Sequence, residues 1–156
     1  MTTDGQVTLR QITMANFDDC LKLALRKDQK GFVASNMYSL AEAKADGVSR
    51  PHAIYADDEM VGFIMYDVAA DEGRGYISRL MVDARFQGRG YGRAAMAQVI
   101  ERLKSVPACR EVLTSYVPEN KVAGHLYASL GFEPTGEVDH GETVMRLELF
   151  GSPLAS

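Results

Sequence analysis

Apolar and polar residues alternate over residues 7–12, the period of a half-buried strand. The period then lengthens. Phe17, Cys20, Leu21, Ala24 and Leu25 form one helical stripe behind Asn16, with Asp18 and Asp19 in the first turn. A capping side chain and early negative charge favour a helix start there. Residues 29–38 show no period, and Phe32, Val33, Met37 and Tyr38 are expected to serve as wall residues. Ser39 and Glu42 have capping-box spacing, which predicts a short second helix closed by Gly47.

Residues 52–56 and 60–68 predict two strands of a hairpin about Asp57, Asp58 and Glu59. A polar loop over 69–74 leads to a strand over 76–82, expected to pair with the one before it. A turn containing Gly88, Gly90 and Gly92 follows. Ala95, Met96, Val99, Ile100 and Leu103 then share one helical face, in a helix ending near Ser105. Residues 111–117 predict a strand, and Asn120 caps a helix that runs to Leu130 and stops at Gly131. Two last strands, 132–138 and 142–150, join at Asp139, His140 and Gly141. The order β-α-α-β-β-β-α-β-α-β-β predicts an α/β fold, a mixed sheet with helices on both faces. Residues 151–156 are small and polar and are expected to be a disordered tail.

Composition narrows the class. At 156 residues, 46% hydrophobic and 24% charged, the chain fits one soluble globular domain. A net charge of −4 argues against nucleic acid as a partner, because a phosphate backbone demands a basic surface. No apolar run approaches the ~20 residues of a membrane span, and the N-terminus has no leader pattern, so the cytoplasm is the default. Cys20 and Cys109 read as buried free thiols. His52, His125 and His140 are scattered, so no metal site is expected.

Against this acidic body, Arg85, Arg89 and Arg93 thread the glycine turn. A strand, a glycine turn and a helix N-terminus make an anion site, since free N–H groups and the helix dipole both favour negative charge. The turn therefore reads as a phosphate or pyrophosphate cradle. It is neither a Rossmann fingerprint, which needs the first strand and a later acid, nor a Walker A loop, which needs Gly-Lys-Ser/Thr.

The turn has company. Gln87, Gly88, Arg89, Gly90, Tyr91 and Gly92 fit Gln/Arg-x-x-Gly-x-Gly/Ala, and Asn120, Ala123, Leu126, Tyr127, Gly131 and Phe132 fit Asn-x-x-Ala-x-x-Leu-Tyr-x-x-x-Gly-Phe. Both motifs, at this separation, resemble the signatures of the GCN5-related N-acetyltransferase (GNAT) family. The resemblance covers roughly residues 7–149. It implies a mostly antiparallel mixed sheet of about seven strands, and a single N-acetyltransferase domain over residues 1–150. Residues 31–43 and 136–145 are similar to the bacterial diamine and polyamine acetyltransferase branch.

The implied reaction is acetyl transfer from acetyl-CoA to a primary amine by direct attack in a ternary complex. By resemblance, the amides of 87–92 take the pyrophosphate, with Arg89 and Arg93 beside it. The backbone of Leu80, Met81 and Val82 pairs with the pantetheine arm, Asn120 contacts that arm, and Tyr127 protonates the departing thiolate. Asn120 and Tyr127 lie seven positions apart, nearly two helical turns, so they share one helix side. Phe32, Tyr38, Glu72, Ser78 and Glu142 are the candidate acceptor contacts. Family positions for a basic glutamate fall near Ser115 and at Ser78, neither acidic, which leaves Glu72, Glu142 or another acid through water. The expected partner is a small-molecule amine, a polyamine or diamine included, and the family also implies a homodimer. The alternatives are a protein N-terminal or lysine acetyltransferase, and a non-catalytic CoA-binding regulatory domain.

Overall fold

The computed structural model describes residues 5–150, so the expected tail 151–156 lies outside the described residues. The elements run β1 (Val7–Gln11), α1 (Phe17–Lys22), α2 (Asn36–Asp46), β2 (Arg50–Ala56), β3 (Glu59–Ala69), β4 (Arg74–Val82), α3 (Tyr91–Lys104), β5 (Glu111–Tyr116), α4 (Lys121–Ser129), β6 (Glu133–Asp139) and β7 (Glu142–Glu148). The seven strands form one sheet in the order β1-β2-β3-β4-β5-β7-β6. β4 and β5 run parallel, and the other neighbours are antiparallel.

Each face of the sheet carries its own core. On one face α3 lays Met96, Val99 and Leu103 over Ile54, Ile64, Ile77 and Val112. On the other, Cys20 and Leu40, from α1 and α2, meet Phe63, Met65 and Met81. Strand residues reach both cores because successive side chains point to opposite faces.

Two bulges reset that alternation. The β2–β3 register passes from Tyr55↔Met60 to Ile54↔Gly62, leaving Val61 as an extra residue. The β3–β4 register passes from Tyr66↔Ile77 to Met65↔Arg79, leaving Ser78 extra. An extra residue switches the faces beyond it. Thus Ile77 packs with the α3 core, yet so do Leu80 and Val82, while Arg79 turns to α2. At the first bulge a Cβ on Gly62 would lie 2.4 Å from the Met81 carbonyl oxygen, which is backbone. Gly62→Ala is expected to destabilise by ~1–3 kcal/mol through overpacking. A thermal melt should show Tm lower by ~2–4 °C per kcal/mol.

Three local expectations are corrected. The cap of α2 is Ser35, whose Oγ accepts from the Tyr38 N–H at 3.0 Å, and not Ser39. Ser39 is buried one turn inside, where its hydroxyl donates to the Ser35 carbonyl and accepts from Arg79 Nε. Glu42, the supposed box partner, takes Arg79 Nη2 at 3.2 Å. Arg79, from β4, has thus claimed both residues of the apparent box, one by a hydrogen bond and one by an ion pair. Asn16 precedes α1, but its side chain accepts from Thr13 N–H and donates to the Gln11 carbonyl, tying down the strand end instead of capping the helix. α1 itself ends at Lys22, so Leu25 reaches the core under α1 and α2 from extended chain.

Candidate active site

The site begins where β4 and β5 part. Their pairing runs from Arg74↔Glu111 to Ile77↔Thr114 and stops. Thr114 is buried at the apex, donating from Oγ1 to the Ile77 carbonyl at 2.9 Å. Beyond it β4 stays with β3, while Ser115 and Tyr116 stay with β7. The backbone edge of β4 past Ser78 therefore has no strand beside it. Such an edge can accept an extended amide-bearing chain as an added strand.

A cavity of about 210 Å³ fills the fork, walled by Leu80, Val82, Gly90, Gly92, Asn120 and Tyr127 among others. A second chamber of about 150 Å³ continues from it past Ser78, Arg79, Ser115 and Glu142. Phe32, Val33, Leu80, Asn120 and Tyr127 line both, so the two are one cleft with Tyr127 at its throat.

The outer end is shaped for an anion. Gly90 caps α3 in the left-handed region, φ 88°, a conformation that favours glycine. Helix geometry points the N–H groups of the first turn out of the helix start. Gly92 keeps an open floor there. A Cβ would lie 3.6 Å from Val82, 3.7 Å from Leu126 and 3.9 Å from Leu80, so any longer side chain would enter the slot. Gln87 and Gln29 exchange side-chain amide bonds, and Gln87 Nε2 also donates to the Val82 carbonyl. This pair fastens the segment after α1 to the glycine turn.

At the throat Tyr127 is 5% exposed, with its ring against Tyr116 and Phe132. Burial pushes its hydroxyl up to about 12, although the neighbouring Thr114 side chain opposes the rise. It therefore holds its proton at physiological pH and can act as an acid. Asn120 caps α4, its Oδ1 accepting from the Ala123 N–H at 3.3 Å. Its amide also borders both chambers.

In the inner chamber Ser115 Oγ donates to Glu142 Oε1 at 2.9 Å, and Tyr76 lies 2.8 Å from Ser115 Oγ. Burial raises Tyr76 above the ordinary tyrosine range.

Other candidates are placed elsewhere. Tyr38 is 60% exposed in the first turn of α2 and borders neither chamber. Glu72 lines a separate groove, 3.6 Å from Arg74. Met81 points its side chain into the α2-side core and its carbonyl toward β3, and Tyr91 buries its ring in the α3-side core. Arg93 lines the outer cavity and donates to the Ser129 hydroxyl. Arg89 lies over the Phe86 ring at 5.7 Å. Arg85 pairs with buried Asp83 at 2.9 Å. Gln29, Thr114 and the Ser115–Glu142 contact had no sequence signal beyond being polar, since each acquires its partner only through the sheet.

The family model for the acetyltransferase (GNAT) family matches residues 17–132. The chain belongs to the GNAT acetyltransferase family.

As a GNAT member it is an N-acetyltransferase that takes acetyl-CoA as acyl donor. It is 29% identical over 150 residues to the spermine/spermidine N(1)-acetyltransferase of Bacillus subtilis (strain 168), covering 92% of this chain and 99% of that one. Among solved structures, the PaiA N-acetyltransferase from Thermoplasma acidophilum in complex with coenzyme A superposes with TM-score 0.69 at 14% identity, covering 92% and 99% of the two chains. The spermidine N-acetyltransferase from Vibrio cholerae in complex with CoA and spermine superposes with TM-score 0.71 at 16% identity, covering 90% and 93%. Among the described residues no helix is long and apolar enough to cross a membrane.

Proposed function

We propose that the acceptor is a linear polyamine or diamine, acetylated at a primary nitrogen by direct attack. The observation that carries this is the continuous cleft with Tyr127 at its throat and a carboxylate, Glu142, in the chamber beyond. Acetyl-CoA supplies the activated acyl group. The amides at the start of α3 hold its pyrophosphate, the free edge of β4 aligns its amide-bearing arm, and Asn120 borders the same path. The apolar wall of Leu80, Val82 and Leu126 excludes water from the thioester. Tyr127 then gives its proton to sulfur as the C–S bond breaks.

The inner chamber admits a narrow chain end, and the polyamine assignment is supported by the B. subtilis relative. The body's net charge of −4 draws polycations. A thiol-release assay over spermidine, spermine, short diamines, amino acids and lysine peptides tests the reading. Turnover is expected with the polyamines and diamines. Turnover confined to peptides would overturn the acceptor, and CoA binding without turnover on any amine would overturn the proposed reaction.

A further inference from the structure

Glu142 stands at the start of β7, opposite Asp139 across a two-residue turn. Nothing in its own sequence neighbourhood distinguishes it from the other surface carboxylates. Its partners do. Ser115 has one hydroxyl proton and donates it to Glu142 Oε1 at 2.9 Å. The 2.8 Å contact between Ser115 and Tyr76 must therefore be a donation from the Tyr76 hydroxyl. Three side chains from β4, β5 and β7 thus form a chain whose protons all point at one carboxylate. That polarity suits an ionised acceptor, and a carboxylate held this way keeps a fixed direction.

The chain also has a definite place. Ser115 and Glu142 line the inner chamber, which Tyr127 closes from the other side. Glu142 is near enough to Tyr127 for its charge to raise the Tyr127 hydroxyl. The proton donor and this carboxylate thus flank one small space, which an attacking nitrogen must enter. The remaining charged or titratable groups around Glu142 are Arg79 on β4, Tyr116 on β5, Asp139 on β6 and His140 in the turn, the last paired with Asp139 at 2.8 Å. Arg79 is already committed to Glu42 and Ser39. Asp139 and His140 face each other, with side chains 63% and 91% exposed. Glu142 is the carboxylate that lines the chamber.

We propose that Glu142 is the proton acceptor for the incoming amine, with Ser115 and Tyr76 as its positioning residues; this rests on the acetyl-transfer reading above. The acceptor arrives as an ammonium and gives one proton to Glu142, freeing the nitrogen lone pair. Withdrawal from water disfavours the ammonium and eases that loss. The C–N bond forms as the C–S bond breaks, the bond pair leaves on sulfur, and Tyr127 gives sulfur its proton. The second nitrogen proton restores the Tyr127 hydroxyl, and Glu142 releases its proton to water. The net products are the N-acetylamine, free thiol and one proton.

The test uses the full chain with spermidine and acetyl-CoA. Glu142→Gln keeps an oxygen for Ser115 but loses the basicity, so kcat/KM for spermidine is expected to fall on the order of 100-fold or more. Acetyl-CoA affinity should be unchanged, and the residual rate should climb steadily with pH toward the amine's own ionisation near pH ~10, because only the free amine can then attack. Glu142→Asp keeps the base and should recover at least about tenfold over Glu142→Gln, with activity retained near neutral pH. Ser115→Ala leaves the carboxylate without the bond that fixes its direction, so kcat should fall about tenfold with KM unchanged, and Ser115→Thr should recover it. Unchanged turnover in Glu142→Gln, equal losses in the Gln and Asp variants, or a Glu142→Gln pH profile identical to that of the wild type would each overturn the role of Glu142. Unchanged kcat in Ser115→Ala, or no recovery in Ser115→Thr, would overturn the positioning role. Wild-type CoA binding with no turnover on any amine would instead overturn the underlying reaction.

Discussion

Tyr127→Phe is expected to lower kcat on the order of 100- to 1000-fold while leaving acetyl-CoA affinity nearly unchanged. The substitution removes one oxygen and keeps the ring, so the contacts with Tyr116 and Phe132 persist and the melting temperature should hold. What disappears is the proton for the leaving sulfur. Burial raises the hydroxyl to about 12, and the same dry surroundings raise a thiolate's affinity for a proton, so donor and acceptor remain matched. The sign for pH follows. The protonated phenol is the active form, and it is lost only as pH rises through a raised value. The wild type should therefore show no basic limb from Tyr127 below about pH 10, the ordinary tyrosine value. Steady-state kinetics across pH, with acetyl-CoA binding measured separately by calorimetry, checks both halves. Unchanged turnover would mean that water protonates the sulfur.

Gly92→Val should separate cofactor binding from folding. Gly92 lies in the first turn of α3, and its backbone does not require glycine. Adding a β-carbon meets Val82, Leu126 and Leu80 at ordinary contact distances, so Gly92→Ala should bind acetyl-CoA almost normally. Valine adds two methyl groups directed into the slot. Crowding of that kind costs ~1–3 kcal/mol, about 5- to 150-fold in affinity. Fold stability should be unchanged or slightly higher, because glycine is the poorer helix former. Titration of acetyl-CoA alongside a thermal melt of the free protein decides it. A lower Tm with affinity intact would show that Gly92 serves packing.

The order of strands and helices was legible because each element carries its own period, and α3 is the clearest case. The glycine turn and the Asn120–Tyr127 spacing were legible because they are local: cap, stripe and motif lie within one helix or one turn. Legibility fails where a side chain's partner is distant. Ser39 and Glu42 look like a cap, yet both answer to Arg79 from β4. Ser115 and Glu142 are 27 positions apart and meet only because β5 pairs with β7. Tyr91 belongs to the turn motif by sequence, but its ring serves the core. The bulges were invisible for a different reason. β3 is apolar on both faces from Met60 to Tyr66, so no alternation exists in which a skipped step could show.

The bulge at Ser78 also constrains how this strand can change over evolutionary time. Deleting one residue there would restore simple alternation and exchange the two faces for half of β4. Arg79 would then turn toward aliphatic neighbours, and Leu80 and Val82 would leave the wall of the slot. Point substitutions along β4 are therefore individually survivable in a way that a single-residue deletion is not. Descendants of this chain should lengthen or shorten the strand only in steps of two, or at its ends.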